Sequence, residues 1–201
     1  MKAKHENTEV KILEAAKTVF QQKGMSGSRM QEIADKAGIN KAMLHYYFRS
    51  KQMLFEAVFK NAFKLLAPQL KKILDEDSDL FEKIRGFTNS YISFVIKHPY
   101  LPNFIIQELN KNPDFIERLR ADADFPNIEK FKLQVQDNVA RAVIKPISGE
   151  QLFINIMSLN ILPFIAAPLF KGFLDVDNKE YQYLMDQRKT EVAEFIINSI
   201  K

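Results

Sequence analysis

The chain contains no cysteine, which excludes disulfide bonds and thiolate metal sites. Strand signals are also scarce, because no stretch alternates apolar and polar residues between Asn-Gly or Asp-Gly turns. No apolar run follows the opening residues MKAKHENTEVK, so they show no secretory signal. We therefore expect a cytoplasmic protein that is built without a sheet.

Signals for catalysis and for cofactors are missing as well. The segment 24–28, GMSGS, narrowly misses the Gly-x-Ser-x-Gly motif of hydrolases, since Ser28 replaces the final glycine and no strand precedes it. The histidines His5, His45 and His98 are scattered without metal-binding spacing, and no phosphate loop occurs. An enzyme is thus a weak alternative, and we expect no catalytic residue, no metal site and no cofactor.

Positive charge is concentrated at the start of the chain. Residues 1–60 carry 11 Lys or Arg and 6 Asp or Glu, a net charge of +5, whereas residues 61–201 carry 18 and 19, a net charge of −1. A basic excess confined to one region is the footprint expected of a surface that meets an anionic polymer. A solvated basic surface would explain the charge alone equally well.

Apolar residues recur at helical spacing along the whole chain, which predicts an all-α fold of about nine helices. Asn7 or Thr8 can begin the first helix, and Gly24 ends it. The segment 28–31, SRMQ, has the form of a capping box and opens a second short helix. Gly38 closes that second helix, because glycine enters the left-handed backbone region cheaply.

The next helices follow from further cap signals. Asn40 can cap a third helix over 41–47, and Ser50 can cap a fourth that runs on from Lys51. Pro68 could kink or end the fourth helix. The acidic segment 75–79, DEDSD, is typical of a joint between helices. Beyond it we predict helices over 80–97 and about 101–110, one starting at 112–114, one ending near 144, and two over 151–170 and 179–200.

Residues 28–48 have the layout of a helix-turn-helix: a short helix, a tight turn around Gly38 and a second short helix. Leu44 and Phe48 lie four residues apart and can pack together on the core. The other residues of the second helix then face outward, where Lys, His and Tyr side chains suit phosphates and base edges of a DNA major groove. A small helical subdomain with exposed aromatics is the alternative.

From Ile12 to about Phe59 the sequence resembles the DNA-binding domain of TetR-type transcriptional regulators. The resemblance rests on the turn Ala37-Gly38-Ile39 followed by the motif Tyr-x-Phe-x-Ser-Lys, here YYFRSK. Further matching positions are Ile12, Ala16, Phe20, Gly24, Ile33, Ala34, Leu44 and Leu54. It covers roughly the first quarter to third of the chain.

The resemblance implies an N-terminal three-helix DNA-binding domain over 1–50 and a C-terminal helical domain over 51–201 that binds an effector and dimerises. It implies a homodimer on a palindromic double-stranded DNA operator, and most such proteins are repressors that an effector releases. His45 departs from the family, which often has tyrosine there, so the base preference stays open. The implied DNA contacts are Ser28, Arg29, Gln31, Lys41, Ala42, Met43, His45, Tyr46, Tyr47 and Lys51.

The second domain offers weaker signals. No cluster of cations faces it, so we expect a small hydrophobic or weakly polar effector, although plain core packing would explain its many phenylalanines. The predicted effector residues are Tyr91, Phe94, Phe104, Gln107, Asn155 and Asn160. The last two long helices should form the dimer surface, or else close the monomer's own core. The predicted dimer residues are Leu152, Ile156, Leu159, Leu184, Val192, Phe195 and Ile196.

Two other functions stay open at this point. One is a non-catalytic helical protein whose basic N-terminus meets a lipid or membrane surface; the other is a DNA binder controlled by a protein partner. The uncharged stretch 151–170 is about long enough to span a bilayer. It is interrupted by Asn155, Ser158, Asn160, Pro163 and Pro168, so we expect a helix buried between protein surfaces and no membrane span.

Overall fold

A computed structural model describes residues 2–103 and 125–201, with positions 106, 110, 117, 120 and 121 between them, and gives only the backbone of residues 2–6. This part of the chain is all-α, as the sequence predicts. Its helices are α1 (Lys2–Gly27), α2 (Met30–Ala37), α3 (Lys41–Tyr47), α4 (Lys51–Asp75), α5 (Leu80–Lys97), α6 (Glu129–Ala140), α7 (Gly149–Ile165), α8 (Ala167–Leu174) and α9 (Asn178–Ile200).

The chain forms two compact units, Met1–Lys64 and Leu65–Lys201. Helix α4 contributes residues to both units and runs through Pro68 without ending there. The division between residues 50 and 51 remains a prediction. The predicted helix over 101–110 and the one starting at 112–114 lie largely outside the described residues.

The first unit packs α1, α2, α3 and the first half of α4 around one apolar core. The rings of Phe20 and Phe55 lie with their centroids 4.5 Å apart at its centre. Leu44 is fully buried and Phe48 nearly so, as the helix-turn-helix layout predicts. The other buried apolar side chains of this core are Ile12, Ala15, Ala16, Val19, Ile33, Ala34, Leu54, Val58, Phe59 and Ala62.

Two details at the ends of α1 and α2 differ from the sequence prediction. Helix α1 begins at Lys2, ahead of the predicted caps at Asn7 or Thr8, and is interrupted at Gly24, whose φ is 65°. The predicted capping box at Ser28 is wrong, because Arg29 is the N-cap residue of α2 and no side chain caps that helix. The Ser28 hydroxyl instead donates to the carbonyl of Met25 at 2.8 Å.

The second unit is centred on α5 and α9. Asp79 caps α5 by accepting from two backbone N–H groups, and Asp177 begins α9 with a capping box to Glu180. Arg85 on α5 forms an ion pair with Glu194 on α9 at 2.6 Å. The shared core of this unit draws apolar side chains from α4 to α7 and α9, with Phe87 and Phe153 meeting edge to face at 5.7 Å.

The acidic joint between α4 and α5 is held by side chains that donate to its carbonyls. The Lys83 amine, which is almost fully buried, donates to Leu74 O at 3.0 Å. Lys130 donates to Asp75 O at 2.9 Å, and Gln134 donates to Ser78 O at 2.8 Å. Two of the carbonyls at the end of α4, those of Leu74 and Asp75, therefore accept from side chains of neighbouring helices.

The uncharged stretch forms two helices where the sequence predicted one. Helices α7 and α8 meet at a 77° bend next to Ala166. Pro163 has no N–H, so it leaves the carbonyl of Leu159 without its helical donor. Arg188 on α9 donates to that carbonyl at 2.7 Å, and the Tyr181 hydroxyl donates to Pro163 O at 2.7 Å.

Within the described residues, no single helix is long and apolar enough to cross a membrane. Helices α7 and α8 reach that length and composition only when they are counted together across their bend.

Candidate DNA-binding surface

The candidate surface is the outer side of α2 and α3. Gly38 ends α2 in the left-handed conformation, with φ 68° and ψ 33°, and its N–H caps the helix. Asn40 then begins α3, and its side-chain oxygen accepts from the Met43 N–H at 2.7 Å. The predicted turn and the predicted cap are both confirmed, so α3 is fixed at its start by two local signals.

Helix α3 has one buried side and one exposed side. Leu44 is fully buried, whereas Tyr46 keeps 74% and Met43 42% of its surface exposed. Lys41, Ala42 and His45 are also exposed, and Tyr47 is half-buried. The rings of Tyr46 and Tyr47 meet edge to face at 5.6 Å. The helix therefore presents a cation, an imidazole and a phenol to solvent around one buried leucine.

The predicted DNA contacts outside α3 differ in their exposure and in their hydrogen bonds. Arg29 and Gln31 are exposed at the start of α2, where Gln31 donates to Asp35 at 2.7 Å. The amine of Lys51, at the start of α4, donates to the carbonyl of Ser28 at 2.9 Å. Lys51 thus ties the beginning of α4 to the segment before α2, a contact that gives no signal in the sequence.

Ser28 is the one predicted DNA contact whose side chain the structure places away from the surface. Only 3% of its surface is exposed, and its hydroxyl is engaged by Met25 O. The prediction for the Ser28 side chain is corrected for that reason. Its role is to hold the turn between α1 and α2.

The model of the "Bacterial regulatory proteins, tetR family" matches residues 12–58, which hold this surface and its core. The probable regulator YttP of Bacillus subtilis is 23% identical over 79% of this chain and 78% of its own. The repressor KstR2 of Mycolicibacterium smegmatis is 31% identical over 43% of each chain. Residues 12–58 therefore carry the DNA-binding domain of TetR-family regulators.

The fold of the whole chain agrees with this family. A TetR-family regulator from Mesorhizobium loti, 18% identical, covers 97% of this chain and 97% of its own with a TM-score of 0.60. Regulators of this family bind DNA, act as dimers and are not enzymes. The match to KstR2 spans less than half of that relative, so its likeness is confined to part of both proteins.

The structure describes four of the six predicted effector residues, and these four have different surroundings. Tyr91 and Phe94 pack against the core of the second unit, where burial raises the pKa of Tyr91 above its usual value. Asn155 is exposed, whereas Asn160 is fully buried with both amide atoms lacking a hydrogen-bond partner among the described residues. Phe104 and Gln107 lie outside the described residues.

A pocket is present elsewhere in the second unit, between α7, α8 and α9, with a volume of about 520 Å³. Tyr91, Phe94, Asn155 and Asn160, the predicted effector residues that the structure describes, do not line it. Apolar side chains form most of its wall, and Ser158, Gln187 and Arg188 add polar groups. The sequence analysis missed this pocket because its shape depends on the bend at Ala166. A continuous uncharged stretch gives no signal for such a bend.

Four predicted dimer residues belong to the core of their own subunit. Leu152, Ile156, Val192 and Ile196 are at most 4% exposed and pack in the cluster formed by α4 to α7 and α9. They have no surface to offer a partner, so the prediction is corrected for these four positions. Leu159 and Leu184 are half-buried and Phe195 is 64% exposed, and for these three the prediction stands.

Proposed function

We propose that this regulator is a repressor that binds a palindromic operator through α3 and leaves it when a small, largely apolar effector binds the second unit. The observation that carries the DNA-binding part is the arrangement of α3. The helix is fixed by Asn40 and Leu44 while Lys41, Ala42, Met43, His45 and Tyr46 are exposed. Such a helix can enter a major groove without loss of its own core.

Each exposed residue type has a distinct task in this proposal. Lys41 neutralises a phosphate, and Arg29 does the same from the start of α2. Ala42 and Met43 meet thymine methyl groups, and His45 or the Tyr46 hydroxyl bonds a base edge. Gln31 and Lys51 support the same DNA from α2 and α4, and Tyr47 lies beside Tyr46.

A dimer would place two copies of α3 about 34 Å apart, one turn of B-form DNA. The operator should then be close to palindromic, because two identical recognition helices related by twofold symmetry read the same half-site twice. Support for repression comes from KstR2, which is itself a repressor.

The first experiment is an anisotropy titration of the full chain with DNA from upstream of its own gene. A scrambled duplex of equal length is the control for sequence preference. We expect the native duplex to bind more tightly, because base-edge contacts add to the phosphate contacts that both duplexes share. Equal binding to both would contradict a sequence-specific site in that DNA.

Substitutions on α3 then test which residues make the contacts. We expect Lys41→Ala and Tyr46→Ala to weaken operator binding while the circular dichroism spectrum stays unchanged, since both side chains are exposed. Lys60→Ala removes an exposed cation from α4, away from the proposed surface, and is the matched control. Unchanged affinity in both α3 variants would remove the assignment of α3 as the recognition helix.

Salt separates phosphate contacts from base contacts. Operator affinity should fall steeply with salt concentration, and Lys41→Ala should reduce the steepness of that fall by about 2, because each of the two subunits loses one phosphate contact. A flat salt response in the unaltered protein would contradict the basic footprint.

A reporter gene placed downstream of the operator distinguishes repression from activation. Deletion of the regulator should raise reporter expression if the protein is a repressor and lower it if the protein is an activator.

A further inference from the structure

The start of α2 has no cap of its own. Its N-cap residue is Arg29, whose backbone is extended with φ −123° and ψ 141°, and no side chain caps the helix. The buried side chains of α2, Ile33 and Ala34, come after its first three residues. The first N–H groups of a helix have no partner within the helix, so an uncapped start is held weakly. Contacts from outside α2 therefore decide where its first turn lies.

Two hydrogen bonds hold the residue just before Arg29. The hydroxyl of Ser28 donates to Met25 O at 2.8 Å, and the amine of Lys51 donates to Ser28 O at 2.9 Å. Ser28 is buried, and Lys51 is half-buried. A hydrogen bond from a charged donor is stronger than one between neutral groups. The bond from Lys51 is therefore the main long-range contact on this carbonyl, and it joins residues 23 positions apart.

A second contact on the start of α2 is weaker. Lys23 on α1 forms an ion pair with Glu32, in the first turn of α2, at 2.5 Å. The two side chains are 48% and 34% exposed. Exposed ion pairs contribute little to stability, and salt screens them further. The half-buried amine of Lys51 is screened less, so we expect its bond to Ser28 to matter more.

Lys51 itself has a fixed position. It is the first residue of α4, a helix of 25 residues. The Ser50 hydroxyl oxygen caps this helix by accepting from the Met53 N–H at 3.1 Å. Leu54, in the next turn, is fully buried in the core of the first unit. A hydrogen bond from Lys51 to Ser28 therefore fixes the segment before α2 to that core.

We propose that Lys51 is a positioning residue for DNA binding: it holds the start of α2 through the Ser28 carbonyl, so that Arg29 meets a phosphate. With its amine engaged by Ser28, Lys51 does not itself neutralise a phosphate. This role replaces the expectation from the sequence that Lys51 touches DNA. The inference rests on the proposed function, because the placement of Arg29 matters only if Arg29 contacts DNA.

The test is a double-mutant cycle on the affinity of the full chain for the upstream duplex, measured by anisotropy. Lys51→Met removes the donor and should weaken binding about tenfold, because a hydrogen bond is lost in each of two subunits. Arg29→Ala removes the residue that Lys51 positions. The loss in the double variant should be about fivefold smaller than the product of the two single losses, because both act through one contact. Single losses that multiply in full would overturn the proposal.

Lys41 on α3 supplies the control for this coupling. The losses caused by Lys41→Ala and Lys51→Met should multiply, because Lys51 does not act through α3. Equal coupling of Lys51 to Lys41 and to Arg29 would show a general effect on the fold and would overturn the positioning role. Lys60→Met removes an exposed lysine from the same helix as Lys51 and should leave the affinity unchanged.

Salt gives a second measurement of the same distinction. In the Arg29→Ala protein, Lys51→Met should leave the dependence of affinity on salt concentration unchanged. A direct phosphate contact by Lys51 would instead reduce the steepness of that dependence by about 2, one contact for each subunit, and would overturn the proposal. Lys51→Arg should keep most of the affinity, because arginine retains a charged donor that is long enough to reach Ser28 O.

A second variant guards against a folding defect. Thermal unfolding followed by circular dichroism shows whether Lys51→Met is folded. If it is not, Lys51→Gln takes its place in the cycle, since it removes the charge and shortens the side chain without adding apolar surface. Its loss should again combine with that of Arg29→Ala to less than the product, and full multiplication would overturn the proposal here too.

The scrambled duplex keeps this inference separate from the proposed function. Phosphate contacts do not depend on sequence, so the same cycle can be measured on that duplex at low salt. Equal affinity for both duplexes, with the coupling between Lys51 and Arg29 retained, would contradict a sequence-specific site and support the role of Lys51. Fully multiplying losses on a duplex that the protein prefers would overturn the role of Lys51 and leave the proposed function in place.

Discussion

Leu44 and Tyr46 show how far single residues could be placed from the sequence. Spacing put Leu44 on the buried side of α3 and Tyr46 on the outer side, and the structure confirms both, with exposures of 0% and 74%. The prediction that Ser28 caps α2 was wrong, because a capping-box pattern is recognised from residue types alone and says nothing about side-chain geometry. The Ser28 hydroxyl instead donates to the carbonyl of Met25, and no side chain caps α2.

Leu44→Ala should destabilise the first unit by about 2–5 kcal/mol, because the substitution leaves a cavity in a core that cannot fully close. Thermal unfolding of the full chain, followed by circular dichroism, measures the change. Met43→Ala is the control on the same helix, since Met43 is 42% exposed and surface substitutions usually stay within about 0.5 kcal/mol. An unaltered melting curve for Leu44→Ala would show that this leucine is not a core residue.

At the scale of elements, the sequence predicted helix starts from their capping residues. It did not predict a break that has no capping residue. Asn40, Ser50 and Asp79 each accept from a backbone N–H at a helix start, close to where the cap signals place those helices. The bend between α7 and α8 lies between Pro163 and Pro168, which were recognised only as interruptions. Its geometry depends on donors from α9, which are remote in sequence and thus invisible to a local pattern.

The α3 cap can be tested by itself. Asn40→Ala should destabilise the first unit by about 1 kcal/mol, because the Met43 N–H loses its acceptor. Asn40→Ser keeps a capping oxygen and should stay close to the unaltered protein in the same thermal unfolding experiment. Equal melting temperatures for the alanine and serine variants would contradict a capping role.

The contact between α6 and α7 depends on the absence of a side chain. A Cβ added to Gly149 would lie 2.7 Å from Lys132 Cα, a backbone atom that cannot move aside. Gly149→Ala should therefore destabilise the second unit by about 1–3 kcal/mol in urea unfolding. Gly172→Ala on α8 meets nothing within 4 Å and is the matched control, with little effect expected. A neutral Gly149→Ala would mean that the two helices separate freely.

At the scale of the whole molecule, the sequence could not distinguish a helix face that closes the subunit from one that meets a partner. Apolar residues lie on more than one face of α7 and α9, and spacing alone assigned Leu152 and Val192 to the dimer although they are buried in their own subunit. The exposed fraction of each side chain distinguishes the face that closes the subunit from the face that is open to a partner. The apolar side chains of α7 to α9 that remain more than half exposed include Ile154, Leu162, Phe173, Tyr183 and Phe195. An exposed apolar surface of this kind is typical of an interface.

Phe195→Asp should therefore shift the protein from dimer to monomer in analytical ultracentrifugation, because a charge in an apolar interface is left without a partner. Asn198→Asp adds the same charge to an exposed position of α9 and serves as the control. Operator binding should weaken together with dimerisation, since each half-site alone holds only one recognition helix. A Phe195→Asp protein that stays dimeric would place the interface elsewhere.

The link between Pro163 and Arg188 has a consequence for how this sequence can change over time. Proline at 163 creates the open carbonyl of Leu159, and the guanidinium at 188 is what occupies it. In relatives that share this bend the two positions should therefore vary together: a chain that regains an N–H donor at 163 no longer needs arginine at 188. Loss of the arginine first, with the proline still present, would pass through a less stable ancestor, so the order of substitution should be constrained as well.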